Sequence, residues 1–494
     1  MLEHLMNEAG VTLTENLAVT HSTTGSDCLD FFASAGALRG ASKEQILKLF
    51  IRAYNEDADA AMKLVFFARD VRGGLGERRV FRVALEWLAE NKPESVRKNL
   101  ENIAEYGRWD DLLVLIGTTL EAETIALIKS RLDNDIAEMR AGKPISLLAK
   151  WLPSVNTSNA ETVRKARRIA KMLGMSEMEY RKMLTELRAY LRLIENDLRK
   201  RDYSFDYEKQ PSRALFKYRA AFRRNDGERY AAFLAASLSG KAKLNAANVS
   251  PYELVQPYLE ASEYGRRLDI KPEERDALNA TWEAQPDYGG DCDMLAIVDT
   301  SGSMYGRQPG APLPAAVAFS LGLYFADRNK GAYKGHFIEF SQRPKLIRLK
   351  GDTFCDRLQY AASFNEVANT NVDAVFKLIL RTAVKNGLAQ QELPRKLVFI
   401  SDMEFDMCAE NASLSSFENA KRDYALHGYE LPEIIFWNVA SRHGHQPVRM
   451  NEQGVTLVSG ASPIIFSMVA GGSITPMKFM MDVLESARYS GIVA

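Results

Sequence analysis

The sequence predicts a two-domain protein in which an all-α helical-repeat domain precedes an α/β domain with a doubly wound sheet. From residue 28 to 265, apolar residues recur every three or four positions, which is the period of amphipathic helices. From residue 291 onward, short apolar runs alternate with helical stretches, which is typical of a parallel sheet covered on both faces. A chain of 494 residues is long enough for two such domains.

Four segments follow from this change of pattern. Residues 1–27 are expected to form a polar N-terminal arm, and residues 28–265 the helical-repeat domain. The polar stretch 266–290 contains two prolines and ends in Gly-Gly, so it is predicted to be a linker. Residues 291–494 are then the α/β domain.

Helix signals support the first domain. Ser42 and Gln45 have the spacing of a capping box, Ile46 and Phe50 share one face of the helix that follows, and Pro93 suits the first turn of another. Further periodic stretches cover 120–141, 161–173, 176–200, 211–224 and 227–238. Short connections favour antiparallel helix pairs stacked as a HEAT-like solenoid, but the absence of a fixed repeat leaves a compact bundle open.

Strand and helix signals alternate in the second domain. Apolar runs at 294–298, 334–340, 396–401, 433–439 and 455–458 are predicted strands. Helices are predicted near 312–327, 371–386, 413–426 and 475–488. This alternation indicates a parallel sheet with helices on both faces.

Composition excludes several classes of protein. No apolar run approaches the ~20 residues of a membrane-spanning helix, and the four cysteines form no CxxC pair, so we expect a cytoplasmic protein without a disulfide framework. The net charge of zero conceals an uneven distribution. Residues 141–250 contain 23 Lys and Arg against 11 Asp and Glu, a net charge of +12.

Oxygen-bearing side chains follow two of the predicted strands. Asp299, Ser301 and Ser303 come directly after the run at 294–298, and Asp402 follows the run at 396–401. Thr370 lies at the start of a predicted helix between them. Ligand sites form at the carboxyl ends of parallel strands, and a set of oxygen ligands suits one Mg²⁺ ion, or Mn²⁺ in its place.

The order DxSxS, Thr, Asp resembles the metal-ion-dependent adhesion site of von Willebrand factor A domains. The resemblance implies that Ser301, Ser303 and Thr370 contact the metal directly and that Asp299 and Asp402 do so directly or through water. It also implies an open position for a partner's carboxylate. The sequence contains no GxxxxGK[ST], GxSxG or HExxH motif, so we expect no catalytic activity.

The helical half resembles the Ro autoantigen family, whose TROVE module is a ring of helical repeats closed by a von Willebrand A domain. The residues that carry the likeness are ARDVRGGLGER at 68–78, AKWLPSVN at 149–156 and PSRALFKYRAAFRRND at 211–226. A related uncharacterised family with the same two-part plan is more similar still. The Ro resemblance implies binding of structured and misfolded small RNAs, and a TROVE-like helical domain.

Basic residues cluster on three of the predicted helices, where neighbouring aromatic residues suit contact with RNA. Alternatively, these cations simply solvate the outer faces of helices. The candidate RNA-binding residues are Arg164, Arg167, Arg168, Lys171, Arg181, Lys182, Lys217, Arg223 and Arg224.

Two further features leave alternatives open. The glycines in RGGLGER at 72–78 suit either a phosphate-facing loop or a helix–helix corner buttressed by arginine. His443 and His445 could hold a metal weakly, but a solvated loop is the better interpretation.

The function predicted from these features is non-catalytic, Ro-like binding of structured RNA, with the metal site recruiting a protein partner. The alternative is an interaction scaffold whose metal site binds an acidic residue of a partner, such as a chaperone-type ATPase, without RNA. A metal-dependent phosphoesterase is disfavoured because no general base is evident.

Overall fold

The computed structural model describes residues 10–262, 265, 267–289, 293–340, 343–366, 371–405, 416–442, 444–471 and 475–494. An N-terminal helical region and a C-terminal α/β region confirm the predicted two-part layout. In the described part of the chain, no helix is both long and apolar enough to cross a membrane.

The helical region begins after a short hairpin, β1 (Val11–Leu13) and β2 (Val19–His21). Its helices are α1 (Asp27–Ala35), α2 (Lys43–Glu56), α3 (Ala58–Arg69), α4 (Arg78–Asn91), α5 (Pro93–Lys98), α6 (Asn102–Tyr106), α7 (Glu121–Arg140), α8 (Leu148–Trp151), α9 (Ala160–Met172), α10 (Glu177–Tyr190), α11 (Ile194–Lys200), α12 (Ser212–Asn225), α13 (Gly227–Leu238), α14 (Pro251–Ala261) and α15 (Pro272–Glu283).

Local signals account for several helix boundaries. The predicted capping box at Ser42 and Gln45 is present, and Pro93 occupies the first turn of α5. The stretch 176–200 divides into α10 and α11, because the chain turns at Arg192, whose φ is +47°.

In its described residues, the α/β region contains the strands β3 (Met294–Asp299), β4 (His336–Phe340), β5 (Lys345–Arg348), β6 (Lys396–Ser401), β7 (Glu433–Asn438) and β8 (Val455–Ser459). Its helices are α16 (Pro314–Arg328), α17 (Phe354–Ala362), α18 (Val372–Asn386), α19 (Ser416–Leu426), α20 (Ile465–Val469) and α21 (Pro476–Leu484). The five predicted strands are confirmed, and β5, α17 and α20 are additions.

The strand order is β5-β4-β3-β6-β7-β8, with every neighbouring pair parallel except β4 and β5. Helix α16 packs on one face of the sheet, and α18 and α19 pack on the other. Strands β3 and β6 are buried along their whole length, as central parallel strands are. The strand order reverses between β3 and β6, and ligands of doubly wound sheets bind at such a point.

The predicted linker 266–290 is wrong, because α15 occupies its centre. Pro272 starts this helix at its first position instead of interrupting it. Trp282 is buried and stacks on Phe354 with ring centroids 4.1 Å apart. The segment is therefore a packed element that joins the two regions.

Within the expected polar arm 1–27, β1 and β2 form an antiparallel hairpin, and residues 1–9 lie outside the described residues. His21 exchanges backbone hydrogen bonds with Gln446 at 3.0 and 2.7 Å. Other contacts between the regions include the Gly36 amide, which donates to the Ser459 hydroxyl at 2.9 Å. The hairpin thus packs against the α/β region.

Candidate functional site

The carboxyl end of β3 brings together three of the predicted metal ligands. The Asp299 carboxylate is buried, and its Oδ1 accepts a 2.9 Å hydrogen bond from the Ser301 backbone amide. This bond turns the chain sharply, so that the Ser301 and Ser303 hydroxyls lie 3.1 Å apart. The DxSxS spacing therefore places a carboxylate and two hydroxyls in one small loop.

The adjacent strand supplies the second carboxylate. The Ser401 hydroxyl donates a 2.5 Å hydrogen bond to Oδ2 of Asp299. The next residue, Asp402, is buried, and the chain then turns at Met403, a non-glycine residue with a φ of +66°. Oδ1 of Asp402 accepts a 3.3 Å hydrogen bond from the Glu404 amide.

The donor set fits a hard divalent cation. Burial raises the pKa of the Asp299 carboxyl, and the negative charge of Asp402 raises it further. Burial also raises the pKa of Asp402, although the attraction of Arg442 opposes this shift. Among the described residues, no group donates a hydrogen bond to the buried Oδ2 of Asp402. A cation would satisfy this oxygen and offset the repulsion between the two carboxylates.

Arg442 lies beside these carboxylates. Its Nη2 is 3.4 Å from Oδ2 of Asp402 and donates to the Ser303 carbonyl. Its Nη1 is 3.5 Å from Glu15, in the turn of the N-terminal hairpin. Sequence reasoning missed Arg442 because only folding brings the β7–β8 loop to the end of β3. Ser401 was also missed, although its place beside Asp402 at a strand end was a usable signal.

Thr370, the fifth predicted ligand, lies outside the described residues, as does His443. His445 is buried, and its Nε2 lies 3.0 Å from Oε1 of Glu404, which is also buried. The interpretation of His445 as part of a solvated loop is therefore wrong. The hairpin covers this part of the chain, and the Glu15 amide donates to Oε2 of Glu404 at 2.7 Å.

A second candidate site is a cleft of about 2370 Å³ in the helical region, here called the basic cleft. Segments between residues 69 and 252 form most of its wall. The rest comes from Arg39, residues 285, 286 and 288, residue 310 and residues 461–463. Its lining includes fifteen Arg and Lys against five Asp and Glu, and six aromatic residues. The basic residues are Arg39, Arg69, Arg78, Arg79, Arg108, Lys150, Arg181, Lys182, Arg188, Arg192, Arg199, Lys200, Lys209, Arg213 and Lys217.

The structure divides the predicted RNA-binding residues into two groups. Arg181, Lys182 and Lys217 are exposed and line the basic cleft. The others are exposed on helix surfaces outside its lining. Some of these bind neighbouring groups: Arg168 pairs with Glu121 at 2.5 Å, for example. The second group is Arg164, Arg167, Arg168, Lys171, Arg223 and Arg224.

Of the two roles that the sequence left open for the RGGLGER turn, the structure shows the arginine-supported corner, and contact with phosphate stays a prediction. Arg79 links the start of α4 to the segment before α2, because its Nη1 donates hydrogen bonds to the backbone carbonyls of Arg39 and Ala41. Arg72 points away from the cleft and pairs with Glu105 at 2.7 Å. Arg78 lines the basic cleft.

Comparison with known proteins identifies a viral relative and a similar crystal structure. An uncharacterised protein, L728, of Acanthamoeba polyphaga mimivirus is 29% identical over an alignment that covers 97% of this chain and 88% of the viral protein. The crystal structure of the Deinococcus radiodurans Ro (RSR) protein aligns with 91% of this chain and 99% of that chain, at 14% identity. Its TM-score of 0.35 does not establish a shared fold.

Family models match both regions. The domain of unknown function DUF7788 matches residues 293–478, and the domain of unknown function DUF2828 matches residues 14–134 and 125–285, more than half of the chain. The chain is therefore a member of the DUF2828 family.

Proposed function

We propose that this protein is a non-catalytic, cytoplasmic RNA-binding protein that holds structured RNA in the basic cleft and recruits a partner through a Mg²⁺ site. The observation that carries the RNA proposal is the excess of cations in the cleft, fifteen against five acidic residues. Such an excess attracts a polyanion, because each neutralised phosphate releases condensed counterions.

The size and the aromatic content of the cleft favour a nucleic acid over a metabolite. Its volume of about 2370 Å³ exceeds the roughly 300–1,000 Å³ of small-molecule pockets. Trp151, Tyr218 and Tyr252 are among the aromatic residues that line it. Unpaired RNA bases stack on such side chains, whereas a regular duplex presents mostly phosphates and sugars. RNA with unpaired segments therefore suits the cleft best.

The metal site supports the second part of the proposal. Asp299, Ser301, Ser303 and Asp402 would hold Mg²⁺, or Mn²⁺, together with Thr370 as the von Willebrand A resemblance implies. The bound cation would supply an open coordination position for a carboxylate of a partner protein. The protein's own contribution is to bury the two aspartates and to hold the two hydroxyls 3.1 Å apart.

The alternative is a scaffold that uses the metal site alone and binds no RNA. The observation that favours it is that the ligands lie at the carboxyl ends of β3 and β6, a separate place from the basic cleft. On this alternative the partner is a protein with an exposed acidic side chain, such as a chaperone-type ATPase.

Titration of a labelled RNA hairpin with a single-stranded tail tests the proposal. Fluorescence anisotropy is measured between about 50 and 200 mM salt, where several phosphate contacts give a steep loss of affinity. The double variant Arg181→Glu, Lys182→Glu is expected to lose about 100-fold or more in affinity. The matched control, Arg164→Glu with Arg168→Glu, reverses two charges outside the cleft and is expected to bind like the wild type.

Two outcomes separate the candidates. If the wild-type protein shows no salt-dependent RNA binding, the RNA proposal is wrong. Mg²⁺-dependent capture of a partner that disappears in the double variant Asp299→Ala, Ser301→Ala then supports the scaffold. If the control loses as much RNA affinity as the cleft variant, the RNA binds elsewhere on the helical surface.

A further inference from the structure

At one corner of the basic cleft, the positive charges of arginine residues outnumber the negative charges of the neighbouring aspartates. Arg69 pairs with Asp111 at 2.8 Å, and Arg82 pairs with the same carboxylate at 2.6 Å. Arg82 also lies 2.8 Å from Asp110. The two buried or half-buried aspartates are thus shared among several guanidinium groups.

Arg108 binds both oxygens of Asp110 and shares Oδ2 with Arg82. Its Nε and Nη2 donate to that carboxylate at 2.8 and 2.7 Å, and its guanidinium lies 3.9 Å from the centre of the Trp151 ring. The carboxylate and the ring hold the group in one orientation. Nη1 of Arg108 takes no part in the pair with Asp110, and Arg108 lines the cleft.

Arg78 is the fourth arginine of this corner and has no acidic partner within ion-pair distance in the described part of the chain. The preceding residue, Glu77, is buried and bound to Arg39 at 2.6 Å, so it does not neutralise Arg78. Burial and the positive charges of Arg82 and Arg108 lower the pKa of Arg78. The corner therefore has four arginines for two aspartates, an excess of two positive charges, and Arg78 is exposed to the cleft.

The turn that carries Arg78 is held rigidly. Backbone hydrogen bonds of 3.1 Å from Leu75 to Phe67 and of 2.6 Å from Glu77 to Ala68 fold the turn back onto α3. A Cβ on Gly74 would lie 2.1 Å from the Phe67 carbonyl oxygen, so this close approach requires glycine. The position of the Arg78 backbone is therefore set before any ligand binds, which lowers the entropic cost of binding.

We propose that Arg78 and Arg108 form a phosphate subsite in the basic cleft. The subsite rests on the proposed function, because it anchors one phosphate group of the RNA that the cleft holds. Arg78 contributes a guanidinium that no carboxylate of the described residues engages, and Arg108 contributes Nη1, the nitrogen that does not bind Asp110. Guanidinium groups recognise phosphate oxygens with paired, directional hydrogen bonds.

Arg78→Gln tests the subsite, with Arg72→Gln as a matched control on the same turn but outside the cleft. The first probe is a single-stranded RNA oligonucleotide, measured by anisotropy against salt. Loss of one phosphate contact is expected to weaken binding by roughly five- to tenfold and to reduce the salt slope by about 0.7 to 1. Arg72→Gln is expected to match the wild type, and circular dichroism checks that both variants are folded.

The second probe is inorganic phosphate, whose binding is followed by phosphorus NMR line broadening in the same three proteins. If the wild type binds RNA and Arg78→Gln binds it equally well with an unchanged slope, the subsite is refuted and the proposed function stands. If the wild type binds no RNA but Arg78→Gln abolishes phosphate broadening, the subsite is supported with a free phosphate compound as its ligand, and the proposed function is wrong. If the wild type binds neither probe, both proposals are wrong.

Discussion

The Ser401 hydroxyl donates a hydrogen bond to the Asp299 carboxylate and so joins the carboxyl ends of β3 and β6, the two strands between which the sheet order reverses. The same hydroxyl accepts a 3.0 Å hydrogen bond from the Met403 amide. One side chain thus orients a predicted metal ligand and the turn that presents Asp402.

Ser401→Ala is expected to weaken Mg²⁺ binding by roughly 10- to 100-fold, as loss of an outer partner of a metal ligand typically does. It is also expected to lower the free energy of unfolding by about 1–3 kcal/mol, because Asp299 would keep a buried oxygen without its donor. Isothermal titration with Mg²⁺ and urea unfolding measure the two effects. Ser467→Ala, a change at an exposed serine in α20, is the control. Unchanged Mg²⁺ affinity in Ser401→Ala would show that Asp299 does not need this hydrogen bond to bind metal.

The raised pKa values of Asp299 and Asp402 predict how stability depends on pH without metal. A carboxyl whose pKa is higher in the folded than in the unfolded state binds its proton more tightly when folded. Stability is therefore unaffected below the unfolded pKa of about 3.9 and declines as the pH rises through the interval up to the folded pKa. In EDTA we expect lower stability at neutral pH than near pH 4 from these two groups, and Mg²⁺ should restore it.

Asp299→Asn separates this effect from other titrations. The amide keeps the size of the side chain but removes the buried charge, so the variant should lose less stability than the wild type as the pH rises in EDTA. Mg²⁺ at 100 times its dissociation constant should stabilise the wild type by about 2.7 kcal/mol and the variant much less. If Mg²⁺ stabilises both proteins equally in thermal unfolding, Asp299 is not a metal ligand.

The proximity of the proposed metal ligands was predictable because it depends on local sequence and sheet topology. Asp299 and Asp402 each follow a buried apolar run, and parallel strands bring their carboxyl ends to one edge. Arg442 was not predictable, since it reaches the site from a loop whose path depends on tertiary packing. His445 looked solvated for the same reason, because nothing near it in sequence reveals the hairpin that covers it.

For the basic residues, the sequence shows which of them share a helix face but not whether that face borders the cleft. Arg164, Arg168 and Lys171 share one helix face, as their spacing predicts, but that face lies outside the basic cleft. Periodicity identifies which residues share a face, and only the packing of helices decides which face borders a cavity. The expected linker at 266–290 contains α15, because Pro272, one of the two prolines that suggested a linker, occupies the first turn of that helix.

The glycine at position 74 gives a stability prediction for the RGGLGER turn. Gly74→Ala would place a Cβ 2.1 Å from the Phe67 carbonyl oxygen, a backbone atom that cannot rotate away. We expect a loss of about 2–4 kcal/mol in the free energy of unfolding, in the range of severe overpacking. Gly227→Ala is the control, because its Cβ would enter open space at the start of α13. Comparable urea midpoints for Gly74→Ala and the wild type would contradict the close approach.

The last prediction concerns the segment that follows α21. Its residues Arg488 and Tyr489 bind the helical region beside the RGGLGER turn. Arg488 donates from Nε and Nη2 to the fully buried Asp70 at 2.8 and 2.9 Å, and the Tyr489 hydroxyl lies 3.1 Å from it. Burial opposes ionisation of Asp70, but these hydrogen bonds outweigh it and hold the pKa of Asp70 below its ordinary value. Arg488→Ala would leave the carboxylate without its cation, so we expect a loss of about 3–5 kcal/mol at neutral pH.

A carboxyl with a depressed pKa stabilises the fold above its unfolded pKa of about 3.9, and that contribution disappears as the pH falls through the folded pKa. The difference between Arg488→Ala and the wild type should therefore be largest at neutral pH and should shrink in acid. Urea unfolding at several pH values measures it. Lys478→Ala, which removes an exposed pair with Asp482, should change stability by less than about 1 kcal/mol. A pH-independent difference for Arg488→Ala would mean that Arg488 acts by packing and not through the charge of Asp70.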